Sequence, residues 1–298
     1  MDTLQALRDL GINPQLTEEQ CDQFDTQGFL VVENVFTSTE VLEMRAEIER
    51  LAAIEGPLGG HEVHIEHGTA RLSNLFNKSE AFDRCLACQP TLAAGYRLLG
   101  EIQVFSLNAR NPGRGGGAQP LHSDVPRRTP NDWRIVNSMV LLDDMTKSNG
   151  PTRIVPGSHL WAPLNVPDNN VAEIRRLEIS KQDRARFPDD PYAPYPGEVR
   201  ITAPAGSVAV INGHIWHGGT RNDSDASRQV LHFSVGRRDL TQQLVEREHL
   251  TDSLWRRTSA AQKFLLNIEG AEPKLLGYPP LPSHADVWTA GILDDASD

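Results

Sequence analysis

Val199-Arg-Ile-Thr-Ala-Pro-Ala-Gly-Ser-Val-Ala-Val-Ile-Asn-Gly-His-Ile-Trp-His-Gly-Gly-Thr220 contains two short runs rich in β-branched residues, Val199 to Thr202 and Val208 to Ile211. A Pro-Ala-Gly turn divides them, and the stretch closes on His217 followed by two glycines. Short apolar runs bounded by turn residues read as strands. The same rhythm recurs at Ile102 to Leu107, Ile135 to Leu142, Arg153 to Val155 and Gln229 to Val235. Strands this short and this regularly spaced predict a mainly β sandwich or barrel over residues 101–238.

Outside that core the periodicity changes. Residues 1–100 read as mainly helical. A helix from Thr17 to Gln27 begins at a capping threonine, stops at Gly28 and leads into a strand from Phe29 to Val35. Thr37 and Glu40 have capping-box spacing, and Val41, Leu42, Met44, Ile48 and Leu51 supply the apolar stripe of a second helix. The Gly- and His-rich stretch 56–68 reads as a loop or lid, and 79–99 as two helices divided at Pro90. Residues 165–197 are long, polar and Pro-rich, as expected of an insertion with a little helix. The tail, 239–298, returns to a helical pattern before a Pro-rich, acidic end.

The chain has 298 residues, 39% of them hydrophobic and 23% charged, which describes an ordinary globular protein. A formal charge of −11 argues against a general attraction to nucleic acid or to an anionic membrane. No run approaches the ~20 apolar residues of a membrane span, and the N-terminus lacks the pattern of a secretory signal, so a soluble, cytoplasmic protein is expected. Cys85 and Cys88 have CxxC spacing with no second pair to complete a zinc site, and they read as ordinary reduced thiols, with a redox role as the alternative.

Gln119-Pro-Leu-His-Ser-Asp124 places an imidazole and a carboxylate two residues apart, on one face of extended backbone. A bare HxD is a weak signal, for which a hydrogen-bonded His beside an exposed Asp is the plain alternative. A third ligand from a distant strand would complete a two-His, one-carboxylate triad, the donor set of non-haem Fe(II) oxygenases. His217 is the best candidate, because Gly218 and Gly219 after it allow close approach of backbone. Arg228 lies 11 residues on, past a turn of Asn, Asp and Ser, where a hairpin would return it to the metal. A guanidinium suits a bidentate grip on the far carboxylate of 2-oxoglutarate. The competing reading is a surface salt bridge from Arg228 to Asp223 or Asp225, which would contribute only ~0–1 kcal/mol.

Taken together, Leu121-His-Ser-Asp124, Leu141-Leu-Asp-Asp144, Asn149-Gly-Pro-Thr-Arg-Ile-Val-Pro-Gly-Ser-His159, His217-Gly-Gly-Thr-Arg-Asn222 and Arg228 resemble the phytanoyl-CoA dioxygenase family of Fe(II)/2-oxoglutarate oxygenases. The resemblance covers most of residues 17–238. It implies a jelly-roll, cupin-like double-stranded β-helix with helices packed outside it, in a single domain over 1–298. It also implies Fe(II) on His122, Asp124 and His217, Arg228 as anchor of 2-oxoglutarate, and Gln119 and Thr152 as further cosubstrate contacts. O2 is then the co-oxidant, and the expected product is a hydroxylated or desaturated small molecule. A carboxylate at Asp124 occupies the place that halogenating relatives leave for chloride, which disfavours chlorination. Many relatives carry Ser or Thr where this chain has Gly219, so a hydroxyl contact falls to Thr220 or is missing.

Other candidates divide between site and scaffold. His61, His64 and His67 read as part of the loop, His159 as structural, and His214 as the weaker rival of His217. His232 shares a face with Arg228 by alternation. Asn137 and Trp133 could face substrate, Trp216 could equally be packing, and Arg71 and Asn74 could reach the pocket. The rival functions are a non-catalytic cupin-like binder and a metal-dependent isomerase or hydrolase that does not use O2.

Overall fold

The computed structural model describes residues 1–66, 68–125, 127, 129–161, 180–226, 228–279 and 281–282. The expectations at His67, over 165–179 of the insertion and over the acidic end from 283 lie outside the described residues.

Nine strands form two antiparallel sheets among the described residues: β1 Phe29–Val32, β2 Thr69–Leu72, β3 Ile102–Pro112, β4 Ile135–Leu141, β5 Thr152–Ile154, β6 Val199–Arg200, β7 Val208–Asn212, β8 His217–Gly219 and β9 Val230–Arg237. The large sheet runs β1-β7-β4-β9-β3-β2 and the small one β6-β5-β8. All six predicted core strands are present, some with shifted ends. Strands β2 and β8 have no counterpart among the expected ones, because Thr-Ala-Arg-Leu and His-Gly-Gly are too short and too polar or Gly-rich to signal a strand. The strand expected to Val35 stops at Val32, and Asn34 beyond it takes a left-handed φ of 56°. Both outer strands of the large sheet, β1 and β2, thus come from the part read as mainly helical.

Helices α1 Thr3–Asp9, α2 Glu18–Gln27, α3 Ser38–Glu55, α4 Leu75–Lys78 and α5 Gln89–Leu99 precede the core. Thr37 closes the expected capping box with Glu40, Thr17 closes a further one with Gln20, and Gly28 ends α2 at a φ of 82°. On α3 the predicted stripe is buried at Val41, Met44, Ile48 and Leu51, but Leu42 faces solvent. The two helical segments expected over 79–99 are present, but they meet at Cys88 and not at Pro90. Pro90 sits in the first turn of α5, where its missing N–H costs nothing, and a 3-10 helix over Glu80–Ala87 precedes it. The described part of the insertion holds one short helix, α6 Lys181–Arg184, and the tail three: α7 Glu246–His249, α8 Asp252–Arg257 and α9 Ala260–Leu265. No helix among the described residues is long and apolar enough to cross a membrane.

The large sheet has two unlike faces. Val136 and Val140 of β4 and Leu231, Phe233 and Val235 of β9 join the core shared with α1, α3, α5 and α9. The opposite face, toward the small sheet, is only half apolar, with Met139, Leu141, Ala209, Ile211 and Val230 meeting Ile154, Ile201 and Ile215. Strand β3 changes sides partway along. Ile102 and Val104 face the helices, then a bulge at Phe105 shifts the register, and beyond it Leu107 and Ala109 take that side. Ser106, Asn108 and Arg110 are thereby turned toward the small sheet. Gly236, paired with Gln103 next to the bulge, makes room for the Phe105 ring, which a Cβ there would approach to 2.1 Å.

A buried polar cluster ties the N-terminal half to the tail. Lys78 Nζ lies 2.7 Å from Glu55 and 2.6 Å from Glu62. Asn77 donates to Glu246 at 2.9 Å and accepts from the Thr251 N–H at 2.9 Å. Burial, reinforced by the charge of Glu62 and only partly offset by Asn77, pushes the Glu246 carboxyl up from 4.5 to about 8. Because the folded chain holds this proton more tightly than the unfolded one, Glu246 contributes a loss of stability as pH rises from about 4.5 to about 8. Urea unfolding should therefore find Glu246→Gln equal to the parent near pH 4.5, and more stable by at least ~1 kcal/mol above pH 8.

Candidate metal centre

His122 belongs to no named strand, yet it forms a one-residue antiparallel bridge with His217 at the start of β8. The two backbones exchange both hydrogen bonds, N–H of each to C=O of the other, at 2.8 Å. Gln119 extends this pairing: its N–H donates to Gly219 O at 2.9 Å and its side-chain oxygen accepts from Gly219 N at 3.1 Å. Asp124 is anchored by donation of its N–H to Gly213 O at 2.9 Å.

These constraints bring the His122, Asp124 and His217 ligand atoms within 4.8 Å of one another. Each imidazole is oriented by its other nitrogen, His122 Nδ1 on Pro120 O at 2.7 Å and His217 Nδ1 on Ile215 O at 2.9 Å. A carbonyl can only accept, so both Nδ1 atoms carry the proton and both Nε2 atoms present a lone pair when the rings are neutral. His217 Nε2 is 3.5 Å from Asp124 Oδ1, and Asn137 donates weakly to Asp124 Oδ2 at 3.4 Å. Burial, then the charge of His217, pushes the His122 imidazolium down to about 4. Burial works against the charged forms of Asp124 and His217 as well. Their mutual attraction outweighs it, holding the Asp124 carboxyl well below the carboxylate range and raising His217. Two imidazoles and a carboxylate converging from one side suit a divalent first-row metal and leave its other positions open.

A cavity of about 150 Å³ opens beside these three residues, lined by Gln119, Thr152, Asn137, His232, Arg71 and Arg110 among others. That is below the ~300–1,000 Å³ of pockets for drug-sized ligands. Thr152 Oγ1 lies 3.0 Å from Met139 Sδ. His232, partly buried, is pushed down to about 3 by burial and by Arg110, Arg71 and Arg228, so it is neutral.

Arg228 is buried, 1% exposed, and its Nε and Nη2 have no hydrogen-bond partner among the described residues. The surface salt bridge is ruled out, because Asp223 pairs with Arg221 at 3.2 Å and Asp225 with Arg114 at 2.7 Å. Burial, then the charge of Arg110, pushes the Arg228 guanidinium down to about 9. It is not itself a wall of the cavity, and it shares the face of Val230 and His232 by alternation.

Other candidates fall outside the site. His214 Nε2 accepts from Arg134 N at 3.1 Å, and His159 bonds Asp25 O at 3.1 Å. Trp133 stacks with Arg127 at 4.5 Å and Trp216 is buried against Trp161 and Phe187. Asn74 is buried and accepts from Asn77, not facing the cavity. Thr220 donates to Pro151 O at 2.6 Å, so its hydroxyl is already engaged and does not replace the one missing at Gly219. Cys85 and Cys88 are free and buried, and burial raises both thiols, Cys88 to about 11.

Several wall residues were not anticipated: Ser106, Asn108 and Arg110 of β3, Ser234 of β9, and Gln243 after it. Glu66 holds Arg110 through Nε at 2.9 Å and through Nη2, and Arg71 at 2.7 Å, which lowers its carboxyl to about 2 against the effect of burial. The alternation Ser106, Asn108, Arg110 was available as a signal, but a polar face on a strand ordinarily means solvent.

Gly219 is fixed by packing. A Cβ would fall 2.3 Å from Gly117 O and 3.2 Å from both Gln119 Oε1 and Arg110 Nη1. Gly219→Ala should cost ~1–3 kcal/mol in chemical denaturation, as overpacking does, and should weaken divalent metal binding measured by calorimetry.

The phytanoyl-CoA dioxygenase family profile matches residues 24–230. Among curated proteins, the chain is 28% identical to ectoine dioxygenase of Stutzerimonas stutzeri over 234 residues, 74% of this chain and 77% of the other. It is 25% identical to L-proline trans-4-hydroxylase of Streptomyces griseoviridis over 231 residues, 72% and 84% of the two chains. Among solved structures, HygX from Streptomyces hygroscopicus with nickel and 2-oxoglutarate bound aligns at a TM-score of 0.57 and 22% identity, over 77% of this chain and 90% of that one. EctD from S. alaskensis with bound Fe gives 0.57 and 21%, over 75% and 77%. These structural likenesses speak to the fold. The profile, spanning most of the core and the whole interval from Asp124 to Arg228, shows that the chain belongs to the phytanoyl-CoA dioxygenase family of iron- and 2-oxoglutarate-dependent oxygenases.

Proposed function

We propose that this dioxygenase hydroxylates or desaturates a small organic metabolite, with His122, Asp124 and His217 as the iron ligands and Arg228 as the anchor of 2-oxoglutarate. The observation that carries the reading is the convergence of two Nδ1-locked imidazoles and one carboxylate within 4.8 Å. The orphaned donors of Arg228 support it independently. A buried guanidinium with unpaired nitrogens is costly, and a carboxylate delivered by a ligand removes that cost.

Bound iron, with 2-oxoglutarate and O2, supplies the oxidising chemistry, giving succinate, CO2 and an oxidised substrate. The protein's own contribution is geometric. Pro120 O and Ile215 O hold the two rings so that Nε2 faces inward, and Asn137 steadies the free oxygen of Asp124. Gln119, pinned to Gly219, and Thr152 flank the cosubstrate beside the ligands. Asp124 in the carboxylate position favours hydroxylation or desaturation over halogenation. The two sheets are read as the walls of a double-stranded β-helix, in one domain that includes both helical ends. A small molecule is the expected partner, in keeping with the size of the cavity.

An isomerase, a hydrolase or a passive binder could also use a buried guanidinium for an anionic ligand, and what disfavours these rivals is the family to which the chain belongs. Asp124→Ala should lower substrate-dependent succinate formation by at least ~100-fold, and wild-type rates in that variant would reject the ligand set. Arg228→Ala should raise the KM for 2-oxoglutarate ~10-fold or more, the worth of a charge-assisted hydrogen bond, with a smaller change in kcat. An unaltered KM would remove Arg228 from the cosubstrate site.

A further inference from the structure

Charge around the cavity does not close on the cosubstrate alone. A ferrous ion and Arg228 are balanced by Asp124 and the two carboxylates of 2-oxoglutarate. Arg71 and Arg110 also line the cavity, and a single carboxylate, Glu66, serves both. The two arginines face each other in register on β2 and β3. Arg110 commits two nitrogens to Glu66, whereas Arg71 commits only Nη1. One positive charge is left over in a site whose side chains are 14% exposed at Arg71 and 3% at Arg110. In so little solvent a lone positive charge is poorly screened and favours an anionic occupant.

A second feature of the same wall concerns hydrogen bonding. Asn137, Ser234 and Ser106 stand in register across β4, β9 and β3. Ser106 bonds Ser234 at 2.9 Å and donates to Gln243 Oε1 at 2.6 Å, and Asn108 Nδ2 donates to the same oxygen at 3.2 Å. This leaves Asn108 Oδ1, in a residue 5% exposed, as a buried acceptor without a donor. 2-Oxoglutarate at neutral pH has only acceptors to offer, so it cannot satisfy that atom. The primary substrate can, if it brings an N–H or O–H.

We infer that the primary substrate is a small amino- or hydroxy-carboxylic acid, its carboxylate held by Arg71 beside Arg110 and its donor group directed to Asn108. The inference deepens the dioxygenase reading and rests on it. Arg71 and Asn108 are then specificity-determining residues that act on substrate.

The test is calorimetric titration under nitrogen of the full chain loaded with Fe(II) and 2-oxoglutarate. The probes are a set of α-amino and α-hydroxy acids, the primary amide of each, and the acids lacking the amino or hydroxyl group. Acids that bind should lose at least ~10-fold in affinity as amides, and should lose affinity again without the donor group. Arg71→Gln should collapse the acid-over-amide ratio tenfold or more, and Arg71→Lys, which keeps the charge, should retain part of it. Equal binding of amides, or an acid-over-amide ratio unmoved by Arg71→Gln, overturns the assignment. So does silence from every acid while the loaded protein still turns over 2-oxoglutarate slowly on its own. In that case the substrate class is wrong and the dioxygenase reading stands. A protein that takes up neither Fe(II) nor 2-oxoglutarate fails at the earlier reading and removes both.

Discussion

The pair of backbone hydrogen bonds exchanged by His122 and His217 is the constraint on which the site depends. The residues are 95 positions apart in sequence, and a one-residue bridge is all that joins them as strand. Because the bond pair is reciprocal, it sets both the distance between the two chains and the direction in which each side chain leaves. Asp124 then follows from the two-residue period of extended backbone, and Gly213 O fixes its position. Glycines 218 and 219 are what allow this closeness, since a side chain on either would strike the carbonyls of Pro120 or Gly117.

The surrounding architecture serves this arrangement by keeping two kinds of interior apart. The helix-covered face of the large sheet is apolar and supplies the driving force of folding. The other face is a compromise, apolar where β5 and β7 meet and polar where β2, β3 and β9 border the cavity. Buried polar groups such as Arg228, Asn108 and Arg110 would burden a structural core. Their concentration on one side of one sheet marks a surface shaped for ligands and not for packing.

Much of this was legible in the sequence because it rests on local rules. The capping threonines Thr17 and Thr37, the strand runs, and the HxD with His217 all carry their signal in residue type and spacing. What escaped depends on tertiary context. Strands β2 and β8 exist only because a neighbour offers them a ladder, and neither has the apolar content to declare itself. Glu66 sits in a stretch read as a flexible lid, and nothing nearby in sequence announces that it will reach Arg110, 44 residues away. Of the two alternatives for the hydroxyl contact, Thr220 or none, the bond of Thr220 to Pro151 O favours the second, and nothing local in sequence announces that bond. For β3 the polar alternation was visible but its direction was not, since sheet faces acquire inside and outside only when the second sheet and the helices are in place.

The irregularity at Phe105 makes that direction a matter of one residue. Upstream of it the odd-numbered positions of β3 point one way, and downstream they point the other. Phe105 is the extra residue of this bulge: without it Val104 would stay opposite Val235 and Ser106 opposite Ser234, and both halves would keep their faces, whereas losing a residue where the ladder is regular would turn the strand beyond it over. The bulge is thus a tolerant joint, a place where the chain can shed one residue in evolution without converting the chamber wall from hydrogen-bonding to oily.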